Sequence, residues 1–600
     1  MRKTSITGRA VKRYHSYCPA YFPLRFLQIL ADSFLPYFNL WMSAEIVSAL
    51  YEGREKRQMV LLVAVTLTGN LLLEAVRAVL YRAAESAQKK LRDNEAAALY
   101  RKTLSLDYEK MEDPEIRRMR RMILENSWIN GYGTQRLHWN ILELARCAAE
   151  FLFSGVLAAE MIVLMARATR SGTSVWLFLA LAGCVAFMIL WQNYSQKESA
   201  KYWDEVGAFM LKENQFARGT RVGGMDCRVY RQQELIDRIE AKMNRDHLKV
   251  FTRAQKKDLL LRIPYFLLES GSQLCVYLII CLYCILGAFP VGSVIKYVGY
   301  LGKITGHANS LFRCLGEMKG NERFLKTYLN YFDLKNDLYQ GSLAVEKRSD
   351  KKFTVSFRDV SFRYGGSDRD ALKNISLDLK VGEKLAVVGR NGSGKTTFVK
   401  LLCRLYDPTR GEIFMNDFNI RKYDYHQYLA LFSVVFQDYQ LLALPLGNNV
   451  SSAREWDTQK AERLLEETGF GERYREMPQG LETPLYRNFD EDGVNLSGGE
   501  AQKVALAKAL YRDAPFIILD EPTAALDPVA EAEIYSRFDR IVGDRTAIYI
   551  SHRLSSCRFC DRIAVFDEGR IVQVGTHEEL LSDRDGKYYE LWHAQAQYYT

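Results

Sequence analysis

Eight consecutive residues, Gly389-Arg390-Asn391-Gly392-Ser393-Gly394-Lys395-Thr396, fit the spacing GxxxxGK[ST] of a phosphate-binding loop. Glycines at these positions let the backbone turn so that successive N–H groups and the start of a following helix face a polyphosphate. Lys395 adds a mobile positive charge, and Thr396 adds a hydroxyl suited to Mg2+. The apolar run Leu385-Ala386-Val387-Val388 reads as the buried strand that delivers the chain to this loop, and Thr397 continues into the helix that leaves it. A second apolar strand, Phe516-Ile517-Ile518-Leu519, ends on Asp520, a carboxylate placed to hold Mg2+ through its water shell at the carboxyl edge of a parallel sheet. Glu521 follows directly and is the candidate general base for a water attacking a γ-phosphate. A solvated acidic turn would account for Glu521 alone, but not for its pairing with a strand and a phosphate loop.

Such residues need an α/β scaffold, and the chain has room for more than one. At 600 residues, 48% hydrophobic and 26% charged, it exceeds what a single core supports. The apolar fraction excludes a disordered chain, the 39 glycines and 13 prolines are too few for a fibrous one, and an odd 11 scattered cysteines make no disulfide scaffold. The first 320 or so residues carry the long apolar runs, and the remainder alternates short β-branched runs with charged helical stretches. The stretch 175–192 holds no charge and is long enough to cross about 30 Å of hydrocarbon. Stretches 59–81 and 267–289 are nearly as apolar, and 26–50, 141–165 and 291–314 are interrupted by charged residues. Six spans are therefore expected within a transmembrane domain at 1–325, followed by a linker at 326–350 and a nucleotide-binding domain at 351–600. The fold class is an all-α six-helix membrane domain followed by an α/β P-loop NTPase.

The basic start (Arg2, Lys3, Arg9, Lys12, Arg13) leads into a long span with no small-residue cleavage site, so it reads as a cytoplasmic N-terminus rather than a secretory signal. Six crossings return the chain to the cytoplasm. Two long helical loops, 83–137 and 193–262, carry much of the net charge of +10 on that side. Arg54, Lys56 and Arg57 violate this topology, with Glu52 and Glu55 beside them. The basic residues are interleaved with acids, as at Glu109, Glu112, Asp113 and Glu115 near Arg117, which favours a solvated helix face over a nucleic-acid patch.

Leu496-Ser497-Gly498-Gly499-Glu500 and Glu521-Pro522-Thr523-Ala524-Ala525-Leu526-Asp527 resemble the signature loop and the post-Walker B segment of ABC transporters. The resemblance covers roughly residue 353 to the C-terminus. It implies an adenine-stacking role for Tyr364, a Q-loop role at the γ-phosphate and metal for Gln437, and a switch role for His552. With six preceding spans the whole chain resembles an exporter-fold half-transporter using ATP and Mg2+. In that family Ser497, Gly498 and Gly499 would meet a nucleotide held by another subunit, which implies a homodimer or a heterodimer with a similar chain in the plasma membrane, both termini cytoplasmic. An importer with the same fold, the catalytic subunit of a heterodimer with a degenerate partner, a soluble ABC ATPase and a poorly hydrolysing regulatory subunit are the alternatives. Glu500 departs from the usual Gln, and Asp490-Glu491-Asp492 is unusually acidic. The short stretch before the first span leaves no room for a leader peptidase, which disfavours export of leader peptides by this chain alone.

Cys281/Cys284 and Cys557/Cys560 form two C-x-x-C pairs without the four ligands zinc needs, so packing is the simpler reading. Lys296, Tyr300, Lys303 and His307 share one face of the last span, beside a small-residue face of Gly299, Gly302 and Gly306. The lysines and His307 predict contact with an anionic or peptidic substrate, or else an ion pair with Glu269 or contact with solvent in an empty vestibule. Turns near 107–115 and 223–234 match the positions at which the resembling fold places short helices that dock on the ATPase domains.

Overall fold

The computed structural model describes residues 5–128, 131–168, 173–219, 225–346, 348, 350, 352–487, 490–522, 542–543, 545–551 and 554–596. The chain divides into two compact units, Met1–Ser105 with Glu115–Leu334, and Leu106–Pro114 with Lys335–Thr600.

The first unit is helical. It contains α1 (Ile6–Tyr17), α2 (Tyr21–Tyr51), α3 (Lys56–Leu104), and, beyond the five-residue helix α4 (Tyr108–Glu112) of the other unit, α5 (Pro114–Trp128), α6 (Thr134–Ala168), α7 (Thr173–Gly219), α8 (Met225–Val229), α9 (Gln233–Ile285) and α10 (Ser293–Asp333). Ser5 caps α1 by accepting the Gly8 N–H at 3.0 Å. Among the described residues α3, α9 and the Thr134–Met165 stretch of α6 are long and apolar enough to cross a membrane. At 49 residues α3 is about 70 Å long, more than twice the hydrocarbon thickness, so its charged C-terminal half must leave the apolar layer. Each of the six apolar stretches falls on a helix, but the fifth ends early. The α9 helix stops at Ile285, the chain turns through Gly287 in the left-handed region (φ 76°), and α10 begins only at Ser293. Gly292 permits that start: a Cβ there would lie 2.3 Å from the Ala44 carbonyl oxygen of α2.

Several charges inside these helices are paired, as burial in a poorly solvating layer favours. Arg77 of α3 reaches Asp32 of α2 at 2.7 Å, and Asn70 donates to Asn39 at 2.8 Å. Antiparallel α6 and α10 carry three rungs in order: Glu143 with Arg313 at 4.0 Å, Glu150 with Lys303 at 3.5 Å, and Glu160 with Lys296 at 3.3 Å. Tyr37 of α2 donates to Glu150 at 2.7 Å, and His307 stands 3.6 Å from the same carboxylate. Of the alternatives open for these basic residues, the ion pair with Glu269 is replaced by pairs with Glu160 and Glu150. Lys296 and Lys303 are neutralised by α6, because that face of α10 packs on α6. The small-residue face is realised in part: Gly299 admits Leu40 of α2, 2.8 Å from where a Cβ would stand, whereas Gly302 and Gly306 have open space there. In the 51–57 turn, Arg54 pairs with Glu52 at 2.8 Å.

The second unit is α/β. An antiparallel sheet in the order β2-β1-β4-β5 is built from β1 (Val355–Phe362), β2 (Leu372–Leu379), β4 (Arg410–Met415) and β5 (Phe418–Asn419). A six-stranded sheet in the order β10-β9-β3-β8-β7-β6 holds β3 (Lys384–Gly389), β6 (Phe432–Val435), β7 (Phe516–Asp520), β8 (Thr546–Ile550), β9 (Arg562–Asp567) and β10 (Arg570–Gly575). It is parallel except for edge strand β10. The central strands read as continuous apolar runs because both faces are covered. Every residue of β7 and β8 is buried. Helices α11 (Lys395–Leu402), α12 (Tyr425–Leu429), α13 (Leu446–Ser451), α14 (Thr458–Glu467), α15 (Gly471–Arg475) and α16 (Gly498–Arg512) follow in chain order. The turn containing α4 belongs to this unit. Tyr108 packs edge-on against Tyr406, with ring centroids 5.6 Å apart, and Asp107 accepts the Asp337 and Leu338 N–H groups at 2.7 and 3.0 Å.

Candidate functional site

Strands β3 and β7 flank β8, and both end on the same edge of the parallel sheet, which is where such sheets bind ligands. The loop after β3 turns on Gly389 (φ 149°), where a Cβ would sit 2.1 Å from the Phe566 carbonyl oxygen, and Gly394 (φ 106°) serves as the N-cap of α11. Only glycine fits both the conformation and the crowding at Gly389. Lys395 folds back over the loop and donates to the carbonyls of Gly389 at 2.9 Å and Arg390 at 3.1 Å. Its burial lowers its pKa below the usual lysine value, against the opposing pull of Glu521 and Asp520. Ser393 is 4% exposed, and its Oγ has no hydrogen-bond partner among the described residues.

Thr396 donates to Asp520 Oδ2 at 3.1 Å, which brings two of the three expected metal-holding groups together across the β3–β7 edge. Burial raises the Asp520 pKa from 3.8 to about 6, opposed by the Thr396 hydrogen bond, supported by Glu521, opposed by Lys395 and supported by Asp438. A carboxylate desolvated to this degree has room for more positive charge than Lys395 supplies. Glu521 holds a left-handed backbone (φ 52°), its N–H donates to Ile550 O at 3.0 Å, and its Oε2 accepts from Gln437 Nε2 at 3.0 Å. Tyr364 is braced by Thr397, with the two hydroxyls 3.0 Å apart, and by the Tyr406 ring, with centroids 5.4 Å apart at 88°.

A cavity of about 550 Å³ gathers Tyr364, Asn391, Gly392, Gly394, Lys395, Thr396, Thr397, Gln437 and Glu521 in its lining. Ala371 completes the wall beside Tyr364; no motif marks it, and only the pairing of β1 with β2 brings it there. Arg390 points elsewhere, pairing with Glu590 at 2.6 Å. Ser497, Gly498 and Gly499 are absent from the lining among the described residues. They form the N-terminus of α16, tied to the region of Gln437 by Tyr439, which donates to the Gly498 carbonyl at 3.1 Å. Gln502, which sequence reading passed over, donates to the Glu521 carbonyl at 3.3 Å. His552 and residues 523–527 lie outside the described residues.

Residues 372–524 match the family described as ABC transporter. A Bacillus subtilis protein described as subtilin transport ATP-binding protein SpaT is 34% identical over 333 residues, 55% of this chain and 54% of the relative. An ATP-dependent lipid A-core flippase of Paraburkholderia xenovorans is 40% identical over 246 residues, 40% of each chain. The matches thus span about half the length of the curated relatives, or less. A bacterial Atm1-family ABC exporter solved with ATP bound superimposes with a TM-score of 0.69 at 21% identity, covering 95% of this chain and 97% of that one. The chain therefore joins helices of the exporter fold to a nucleotide-binding ABC domain.

Proposed function

We propose that this chain, with exporter-fold helices joined to an ABC nucleotide-binding domain, is an ATP-driven exporter that acts as a dimer with a second half-transporter. It would sit in the plasma membrane with six spans and both termini cytoplasmic, with domains at 1–325 and 351–600 joined by 326–350. Its cargo class would be a small molecule, a lipid or a peptide, and export rather than import is favoured by the likeness to a structure described as an ABC exporter.

The observation that carries this reading is the convergence of Thr396 with Asp520 and of Gln437 with Glu521 around one phosphate-binding loop. The Ser393 hydroxyl, unpartnered among the described residues, and the buried Lys395 suit a triphosphate, and Tyr364 offers a ring face for adenine. Thr396 and the under-compensated Asp520 carboxylate fit Mg2+, which when bound would neutralise charge on the phosphate oxygens. Lys395 would leave its loop carbonyls for phosphate oxygens. Gln437 orients the Glu521 carboxylate, which would take the proton of the attacking water, and His552 would contact the γ-phosphate. Because the signature residues are not in the cavity, a second copy presenting Ser497, Gly498 and Gly499 would complete each site.

The test is phosphate release by the full chain reconstituted in liposomes. Wild type should show vanadate-sensitive turnover, and Glu521→Gln should bind ATP yet turn over about 10²- to 10⁴-fold more slowly, the usual contribution of a general base. Wild-type turnover by a Glu521→Gln homodimer would refute the base assignment.

A further inference from the structure

The signature loop holds its own N-terminal groups in a reciprocal arrangement. Ser497 Oγ accepts the Glu500 N–H at 3.3 Å, and Glu500 Oε2 accepts the Ser497 N–H at 2.7 Å, a capping box at the start of the 15-residue α16. The box leaves the Ser497 O–H free to donate. It also places a full negative charge on the helix N-terminus that a polyphosphate would approach. Without nucleotide this charge is favourable, because a carboxylate in the first turn interacts well with the helix dipole. Beside a triphosphate it is repulsive. The glutamine common at this position in the resembling family would avoid that cost.

Arg473, on α15, answers this charge. Its Nε lies 3.2 Å from Glu500 Oε1, a charge contact without hydrogen-bond alignment, while its Nη1 donates to Glu476 Oε2 at 2.8 Å, which sets the guanidinium beside both carboxylates. We propose that Arg473 is a positioning residue for nucleotide capture: it neutralises Glu500 so that the Ser497–Glu500 box can face the phosphates held by the other copy. The proposal rests on the reading that the signature loop meets a partner-held nucleotide. Arg473 acts through Glu500 rather than by touching the phosphates. If it served only to pin α15 to α16, the sign of the charge on residue 500 would not matter.

The experiment measures ATPase activity against ATP concentration for the reconstituted full chain at low and at physiological salt. Arg473→Ala should raise KM for ATP about fivefold at low salt with little change in kcat, and less at higher salt, because exposed charges are screened. Adding Glu500→Gln to Arg473→Ala should return KM to within about twofold of wild type, since Gln still accepts the Ser497 N–H but carries no charge. Arg473→Lys should fall between. A double variant as impaired as Arg473→Ala, or an Arg473→Ala KM equal to wild type, overturns the proposal. Glu500→Gln alone, which leaves Arg473 in place, provides the check if Arg473→Ala fails to fold: a KM no higher than wild type supports the charge argument, and a large rise overturns it. Absence of vanadate-sensitive turnover in wild type would instead overturn the underlying reading, and this proposal with it.

Discussion

Replacing Asp520 by Asn should stabilise the ligand-free protein while abolishing Mg2+-dependent hydrolysis. The carboxylate is 1% exposed, and burial raises its pKa from 3.8 to about 6. Each pKa unit is worth about 1.4 kcal/mol, so the ionised folded form carries a cost of about 3 kcal/mol near pH 7.5. The sign follows from proton counting. Between pH 3.8 and about 6 the folded chain holds the proton that the unfolded chain has released, so this group's contribution to stability is present below pH 3.8 and is lost as pH rises through 6. Asn removes the charge and can still accept the Thr396 hydrogen bond. In EDTA and without nucleotide, the unfolding step of the ATP-binding unit should therefore rise by roughly 4–8 °C at pH 7.5, taking about 2 kcal/mol as realised and 2–4 °C per kcal/mol. The gain should fall to about half by pH 5 and to about a fifth at pH 4. Thermal unfolding of both proteins across this pH range is the assay. A variant no more stable at pH 7.5, or a gain that does not change with pH, would refute desolvation as the cause.

Gly389→Ala combines a left-handed backbone with a Cβ 2.1 Å from the Phe566 carbonyl, so it should distort the phosphate loop and weaken ATP binding at least about tenfold in a nucleotide titration. Tyr364→Ala should weaken ATP binding by about 1–3 kcal/mol, the usual range for base stacking, and Tyr364→Phe by much less, since the ring face remains. Lys303→Gln leaves the 6% exposed Glu150 without its closest cation and should cost about 1–3 kcal/mol of stability, which Lys303→Gln with Glu150→Gln should largely restore. If that double variant recovers its stability yet still loses transport, Lys303 also contacts substrate.

The ATP-binding half was legible because its chemistry is written in short contiguous strings. Gly389 to Thr396 must turn where they do, and the all-buried strand before Asp520 announces a parallel sheet regardless of what packs on it. The pairing partners were not legible. Lys296 and Glu160 are 136 residues apart, and which face of α10 meets α6 depends on how two helices pack, so Glu269 on the neighbouring helix was an equally good guess from spacing alone. The end of α9 at Ile285 was missed for a related reason. Hydropathy continues to Phe289, but a glycine in the left-handed conformation and the close approach of Gly292 to α2 stop the helix and start the next.

By itself the sequence determined the phosphate loop, the carboxylate pair Asp520 and Glu521, the signature string and the alternation of an apolar helical half with an α/β half, because each is set by neighbours along the chain. Only the tertiary structure decided that Thr396 meets Asp520, that Gln437 holds Glu521, that Arg473 answers Glu500 and that the Tyr108 turn packs with the ATP-binding unit. These contacts join residues distant in sequence, and their partners are chosen by burial and by the need to neutralise desolvated charge, which no local spacing encodes.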